Sequence, residues 1–453
     1  MNSLASHSIW PERDGLGTIT DLYQLTMMAG YAASGLSDHR AVFELFVRRL
    51  PDHRSYLIFA GLEQAVHDLL ELRINRAQAD QLRTLPVFQN IASEWFDTLP
   101  DFRFKGSLWS VPEGTVVFAG EPLIRVEGTL PEAQWIETYL LASLAYPTLV
   151  ASKASRIVMA AQDRTLFDFG TRRADTPLAG LTAARAAYIA GFQGTSNVAA
   201  SQRWNIPVTG TMAHSWVQAF GNDADAFAAF AKIYPKPTLL VDTFDVLEGI
   251  HAASAIDPPV GAVRIDSGDL RDSSIKGRAI LDGANRPDVK IVASGDLDEY
   301  KIAELIQGGA KIDGFGVGTE LVNAHDAGAI SMVYKLVEIN GEGRVKRSPG
   351  KLSYPFAKQV FRQFDSDGIM IRDQAVRTNE RAEGVPMLQP IIENGRLVGD
   401  YPSLDSVRAC CRTQVASLPR ELRPIDSQAR YPVEFSPALE NAARTMANPR
   451  GSD

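Results

Sequence analysis

Two residue types are scarce in this chain of 453 residues: it has 2 cysteines and 7 histidines. Cys410 and Cys411 are adjacent, and vicinal cysteines rarely meet ordinary disulfide geometry. There is no Cys-x-x-Cys, His-x-His or His-Glu-x-x-His spacing, so no metal-ligand set is expected. A reducing, cytoplasmic setting is the natural reading. A run of about 18 apolar residues, the length that crosses a bilayer, is also missing, so no membrane span is expected. The opening "MNSLASHSIWPERDG" has neither a basic start nor an apolar core, which speaks against a secretory signal. Positive charge is not in excess either. A formal net charge of −8 excludes a general nucleic-acid surface, which needs basic density to displace counterions. Small anions stay open, because local arginines and backbone N–H groups hold phosphate even on an acidic protein. No Walker A motif occurs, so any ATP use is not of the P-loop kind.

What is present is ordinary in bulk: 45% hydrophobic and 22% charged residues, in a chain long enough for two or three packed units. Residues 1–150 read as an α+β domain. "AVFELFVRR" has the look of a strand and "GLEQAVHDLLELR" the apolar spacing of a helix. Residues 106–130 alternate apolar and polar positions between Pro-Glu-Gly and Gly-Glu-Pro, which predicts a small antiparallel β unit. A long helical pattern runs from about Pro131 to Ala161.

From Leu166 short apolar strands end in Gly, Asp, Ser or Thr and alternate with Ala-rich helices. That rhythm predicts a parallel sheet, and so many units in so few residues fit an irregular (β/α) barrel over 151–335. Residues 336–453 contain "MVYKLVEI" (which begins just before the boundary) and "KQVFRQF" as strands and are expected to pack back on the N-terminal domain. The overall expectation is an α/β fold in which the barrel stands beside an α+β, sandwich-like domain formed from both chain termini.

In such barrels the site lies at the C-terminal ends of the strands. "VRIDSGDL" places Arg264, Asp266 and Ser267 at one such end. A turn explains Ser267 and Gly268 but not Arg264 and Asp266, which must be paired or used if they face the barrel interior. "ASGDLDE" and "GFGVGTEL" supply Gly295, Asp296, Gly318 and Thr319, glycine-containing ends whose backbone can approach a phosphate closely. "FDFGTRRAD" puts Phe169 beside Arg172, suited to a flat anionic ring. "GTMAHSW" carries Thr211 and His214, and "LLVDTFD" carries Asp242, a carboxylate placed to orient His214. A lone strand-end histidine is more often a packing residue, and only these neighbours argue otherwise. No lysine ends a barrel strand, against Schiff-base chemistry. The residues alone stop at a transferase or lyase acting on a phosphorylated sugar and a flat anion.

With "TDLYQLTM", "FELFVRRLP", "FGTRRA", "GTSNV", "GTMAHSW", "LLVDTFD", "VRIDSGDL", "FGVGT" and "KQVFR" in order, the chain resembles the nicotinate phosphoribosyltransferase family. The resemblance implies that nicotinate and phosphoribosyl pyrophosphate give nicotinate mononucleotide and pyrophosphate in NAD biosynthesis. It also implies coupling to ATP hydrolysis with Mg²⁺ and a phosphorylated His214 supported by Asp242. Tyr23 and Phe169 would sandwich the pyridine ring, Tyr23 coming from the second subunit of a homodimer with shared sites. Arg172, Thr211 and Arg264 would read the nicotinate carboxylate or a nearby phosphate. Asp266 would face the ribose, while Gly295, Asp296, Gly318 and Thr319 would cradle the 5′-phosphate region, with Ser267 beside them. Ser196, in "GTSNV", stands where the nicotinamide-using relative has Asp, which favours the acid. Two stretches depart from the family pattern, "SYPF" in the basic segment 348–362 and "ASGD". The competing readings are a nicotinamide phosphoribosyltransferase, a catalytically silent barrel that binds pyridine nucleotides, and a phosphate-binding barrel lyase.

Overall fold

The computed structural model describes residues 13–346 and 353–447. Its centre is a sheet of six parallel strands: β1 (Thr165–Asp168), β2 (Gly194–Thr195), β3 (Thr238–Leu240), β4 (Ala262–Ile265), β5 (Lys290–Ala293) and β6 (Gly314–Val317). Their order is β2–β1–β6–β5–β4–β3, so the chain places late strands in the middle. The sheet curls into a half-barrel. "PVTGTMAH" contributes only a single parallel bridge, Thr195 to Val208, and no regular strand before His214. Barrel closure between residue 208 and β3 is therefore missing among the described residues.

The helices between these strands follow from their caps. Pro177–Ala190 starts with Thr176 accepting from Ala179 N–H, has Pro177 at its first turn, and stops at Gly191 with φ 129°. Only a residue without Cβ adopts that φ cheaply, and Gly191 N–H satisfies the last carbonyls. The alanines of this helix and of Glu137–Ala161 let the two backbones pack closely in one buried cluster with Leu166, Phe315 and Val317. Glu137–Ala161 follows Leu130–Trp135 after a break at Ile136, where one continuous helical pattern was expected. Short helices at Val198–Trp204, His214–Phe220 and Val246–Ser254 were not expected from periodicity, since seven to nine residues carry too few turns to show it.

Both chain ends build the second layer. A seven-stranded sheet takes Arg40–Val47, Ser107–Ser110 and Pro122–Thr129 from the first part of the chain. It takes Met332–Ile339, Glu342–Gly343, Gln389–Glu393 and Arg396–Leu397 from the last part. Arg40–Val47 is central, pairing antiparallel with Met332–Ile339 on one side and Pro122–Thr129 on the other. Val116–Val117 leaves this unit to pair with Leu57–Ile58. Lys358–Phe364 and Met370–Arg377 form a hairpin in a separate four-stranded sheet. The expected boundaries at 150 and 335 fall inside elements, the helix Glu137–Ala161 and the strand Met332–Ile339. Residues 348–352 of the basic segment 348–362 lie outside the described residues. Among those described, no helix is long and apolar enough to cross a membrane.

Candidate active site

The C-terminal ends of the strands open on a cleft of about 350 Å³. Phe169, Arg172, Ser196, Thr211, His214, Arg264 and Asp266 all line it. They come from the ends of β1, β2 and β4 and from the irregular segment that leads into His214, so the curl of the sheet, not chain proximity, assembles them.

Arg264 is the hub. Its Nε donates to Ser294 Oγ at 2.7 Å, Nη1 to Thr211 Oγ1 at 2.9 Å and Nη2 to Asp266 Oδ1 at 2.6 Å. Its guanidinium carbon stands 5.5 Å from the centre of the Phe169 ring. The strand alternation that sends Arg264 and Asp266 inward thus pairs them with each other. Ser294 hydroxyl in turn donates to Asp266 Oδ1. Burial raises the pKa of Asp266, but the Ser294 hydrogen bond and the Arg264 charge outweigh it and hold the carboxyl below its usual range.

His214 opens the helix His214–Phe220 and leaves 42% of its side chain exposed. Its Nδ1 lies 3.1 Å from Thr243 Oγ1 and its Nε2 3.8 Å from Asp266 Oδ2. Asp242 makes no hydrogen bond or ion pair with the ring, contrary to the expectation that it orients His214. Its Oδ2 accepts from Asp266 N–H at 3.0 Å and Ser267 Oγ at 2.6 Å instead. Both residues lie past the end of β3 at Leu240, in an irregular segment where Asp242 reaches across to the end of β4 and Thr243 faces the histidine. Asp242 Oδ1 is buried without a hydrogen-bond partner.

On the other wall, Asp168 ties the ends of β1 and β2 together. It is 1% exposed, accepts from Thr195 Oγ1 at 2.7 Å and Gly170 N–H at 2.8 Å, and burial raises its pKa. Its backbone carbonyl accepts from Ser196 N–H at 2.8 Å. Phe169 N–H donates to Val317 O at 2.8 Å, and its ring lies against Gly316, where a Cβ would collide with ring carbons Cδ2 and Cε2. Arg172 has no hydrogen-bond or ion-pair partner among the described residues, which leaves its guanidinium available to an anion.

The remaining residues sit at or beyond the rim. Gly295, φ 99°, packs so tightly on the Asp266 carbonyl that no side chain fits. Asp296, φ 45°, is exposed, and its carbonyl accepts from Lys301 Nζ at 2.7 Å. Gly318 precedes the four-residue helix Thr319–Val322 and lies beside the Phe169 carbonyl. Neither Asp296, Gly318 nor Thr319 lines the cleft itself. Tyr23 lies outside it too, on helix Leu22–Ala33, 46% exposed and near Glu137 and Thr138. Sequence reasoning did not single out Thr243, Ser294, Asp168 or Gly316. Ser294 and Thr243 stand inside stretches quoted for their neighbours, and only side-chain direction reveals their use.

Three family models match the chain: the nicotinate phosphoribosyltransferase N-terminal domain over 18–145, the nicotinate phosphoribosyltransferase family over 165–351, and the C-terminal domain over 374–443. A nicotinate phosphoribosyltransferase of Mycobacterium tuberculosis is 44% identical over 425 residues, covering 92% of this chain and 91% of that protein. One from Bacillus subtilis is 37% identical and is matched over 93% of each chain. The crystal structure of human nicotinic acid phosphoribosyltransferase matches with a TM-score of 0.82 at 28% identity, covering 94% of this chain and 99% of that one. The likeness extends through both terminal segments and the half-barrel between them, and with it the chain belongs to the nicotinate phosphoribosyltransferase family of enzymes.

Proposed function

We propose that the protein joins nicotinate to phosphoribosyl pyrophosphate, giving nicotinate mononucleotide and pyrophosphate in NAD biosynthesis, with coupling to ATP hydrolysis through phosphorylated His214. The observation that carries the reading is the composition of one cleft: an aromatic face, an unpaired arginine, an uncharged Ser196, a held Arg–Asp pair and an accessible histidine. Nicotinate is a flat anion. Phe169 offers it a stacking face, Arg172 a charge partner, and Ser196 a hydroxyl that does not repel its carboxylate.

As the bond from C1′ to pyrophosphate lengthens, positive charge builds on the ribose. The ionised carboxylate of Asp266 favours that charge, and the nicotinate nitrogen closes the new bond to C1′ as pyrophosphate leaves. In the ATP-coupled half, a ring nitrogen of His214 bonds to the γ-phosphorus and ADP leaves; hydrolysis of the P–N bond later restores the ring. Mg²⁺, bound to the substrates' phosphates, would stabilise the charge of the leaving pyrophosphate. No three His, Cys, Asp or Glu side chains converge as a metal cluster among the described residues. Asp242 Oδ1, buried and unpartnered, is an oxygen of the kind Mg²⁺ takes when phosphate and water fill its other positions. A cytoplasmic, homodimeric enzyme is part of the same proposal. Two free thiols and the position of Tyr23, exposed and outside its own cleft, support it.

Pyrophosphate release with nicotinate or nicotinamide, each with and without ATP, tests the reading. Turnover of nicotinate that ATP stimulates, and loss of that stimulation in His214→Ala, is expected. A preference for nicotinamide, or tight pyridine-nucleotide binding without turnover, would replace it with the corresponding competing reading. Ser196→Asp is expected to lower kcat/KM for nicotinate about tenfold or more, because a second carboxylate then faces the first.

A further inference from the structure

We propose that Asn197 is a positioning residue for recognition of the pyridine acid: its side-chain amide clasps the segment that carries Arg172 to the segment that carries Ser196, and so sets the gap that receives the ligand's carboxylate. The inference rests on the nicotinate reading above.

Arg172 and Ser196 follow the ends of β1 and β2, in two separate stretches of chain. Arg172 is exposed and has no hydrogen-bond or ion-pair partner among the described residues, so its own side chain does nothing to fix its distance from Ser196. The residues next to the two do so. Asn197, directly after Ser196, donates from Nδ2 to Oγ1 of Thr171, directly before Arg172, at 3.1 Å. Asn197 is 7% exposed and does not line the cleft, so it acts from behind the groups that face the ligand.

The direction of this bond is fixed. Asn197 is the N-cap of helix Val198–Trp204, and its Oδ1 accepts from Ala200 N–H at 3.0 Å. A backbone N–H only donates, so the amide oxygen belongs on the helix and the NH₂ group on Thr171. The Asn197 backbone is anchored as well: its N–H donates to Thr195 Oγ1 at 3.0 Å, and that hydroxyl reaches the buried Asp168 at 2.7 Å. Thr171 is backed by helix Pro177–Ala190, where a Cβ on Gly180 would come to 3.1 Å from its Cγ2 and 3.2 Å from its Cα. The helix and the Asn197 amide together leave Thr171 little room to shift. Arg172 follows inside the single turn Thr171–Arg173, so its backbone moves with Thr171. The opposite wall does not depend on the clasp, because Arg264 and Asp266 are held by Ser294 and Thr211. Loss of the clasp therefore loosens the Arg172–Ser196 end of the cleft and leaves the Arg264–Asp266 pair in place.

The test is a double-variant cycle on the full-length enzyme, read by steady-state kinetics. Asn197→Ser keeps a hydroxyl for the N-cap but is too short to reach Thr171. Thr171→Val removes the acceptor, and Thr171→Ser retains it. The KM for nicotinate is expected to rise about tenfold in Asn197→Ser and in Thr171→Val, the scale of one hydrogen bond, with no further rise in the double variant. Both kcat and the KM for phosphoribosyl pyrophosphate are expected to stay within about twofold of wild type, and Thr171→Ser to behave as wild type. An unmoved KM for nicotinate in Asn197→Ser overturns the assignment. Effects that multiply in the double variant, or KM values that rise equally for both substrates, overturn it too. Should Asn197→Ser not fold, Thr171→Val and Thr171→Ser are read in the same way. Each variant is also assayed with nicotinamide. A wild type that prefers nicotinamide would sink the nicotinate reading, and the same cycle on the preferred pyridine then decides the clasp.

Discussion

At the scale of single residues, the cleft depends on groups that never meet substrate. Gly316 is one. Its missing Cβ is the space in which the Phe169 ring lies. Gly316→Ala is expected to push that ring aside at a cost of about 1–3 kcal/mol and to raise the KM for nicotinate about tenfold, measured by steady-state kinetics. Ser294 is another, since it holds both Arg264 and Asp266. The pKa of Asp266 is depressed in the folded protein despite its burial. A depressed carboxylate contributes stability above its unfolded pKa of about 4 and loses that contribution as pH falls through the lower, folded value. Removing the Ser294 hydroxyl lifts the folded value. Ser294→Ala is therefore expected to move the acid limb of the kcat/KM profile upward, and an unmoved limb would deny Ser294 this role.

Among elements, the hairpin Lys358–Phe364 and Met370–Arg377 shows how the C-terminal part of the chain is locked down. Arg362, 0% exposed, makes a two-pronged bond to Asp373: Nε to Oδ1 at 2.9 Å and Nη2 to Oδ2 at 2.6 Å. Its Nη1 donates to Val116 O and Gln414 Oε1, both at 2.8 Å, so one guanidinium joins the hairpin to the N-terminal β unit and to helix Leu404–Ala416. Burial lowers its pKa, yet Asp373 more than offsets this and keeps the charge. Arg362→Met strands a buried carboxylate, and a loss of about 3–5 kcal/mol is expected in urea unfolding. The double variant Arg362→Met with Asp373→Leu is expected to recover much of that loss.

Over the whole molecule, the first and last segments share one sheet, so the half-barrel is an insertion in sequence into a layer that both segments build. Tyr23 belongs to this terminal layer and stands away from the cleft of its own chain. If two copies share their sites, Tyr23→Ala and His214→Ala homodimers are each expected to be defective, while a mixture allowed to exchange subunits regains up to about a quarter of wild-type activity, because one site in a mixed dimer is intact. Absence of recovery, with exchange shown by mass, would contradict shared sites.

Some of this was legible in the residues. Strand–helix alternation from Leu166 and charges at strand ends follow from local chemistry, and local chemistry is written in order along the chain. So the parallel sheet with its Ala-rich helices and the Arg264–Asp266 pair were readable in advance. The ordered motifs pointed to the family in the same way. Which neighbour serves which side chain was not readable. Asp242 looked like the partner of His214, yet it bonds the end of β4, and Thr243, one residue on, turns to the ring. Both residues lie past the end of β3, where side-chain direction depends on the path of the connecting segment across the mouth of the sheet, and that path is set by contacts between distant parts of the chain. Composition and pattern determined the kind of protein and the residues that would gather at its mouth; only the folded arrangement decided that Ser294 and Gly316 hold them in place.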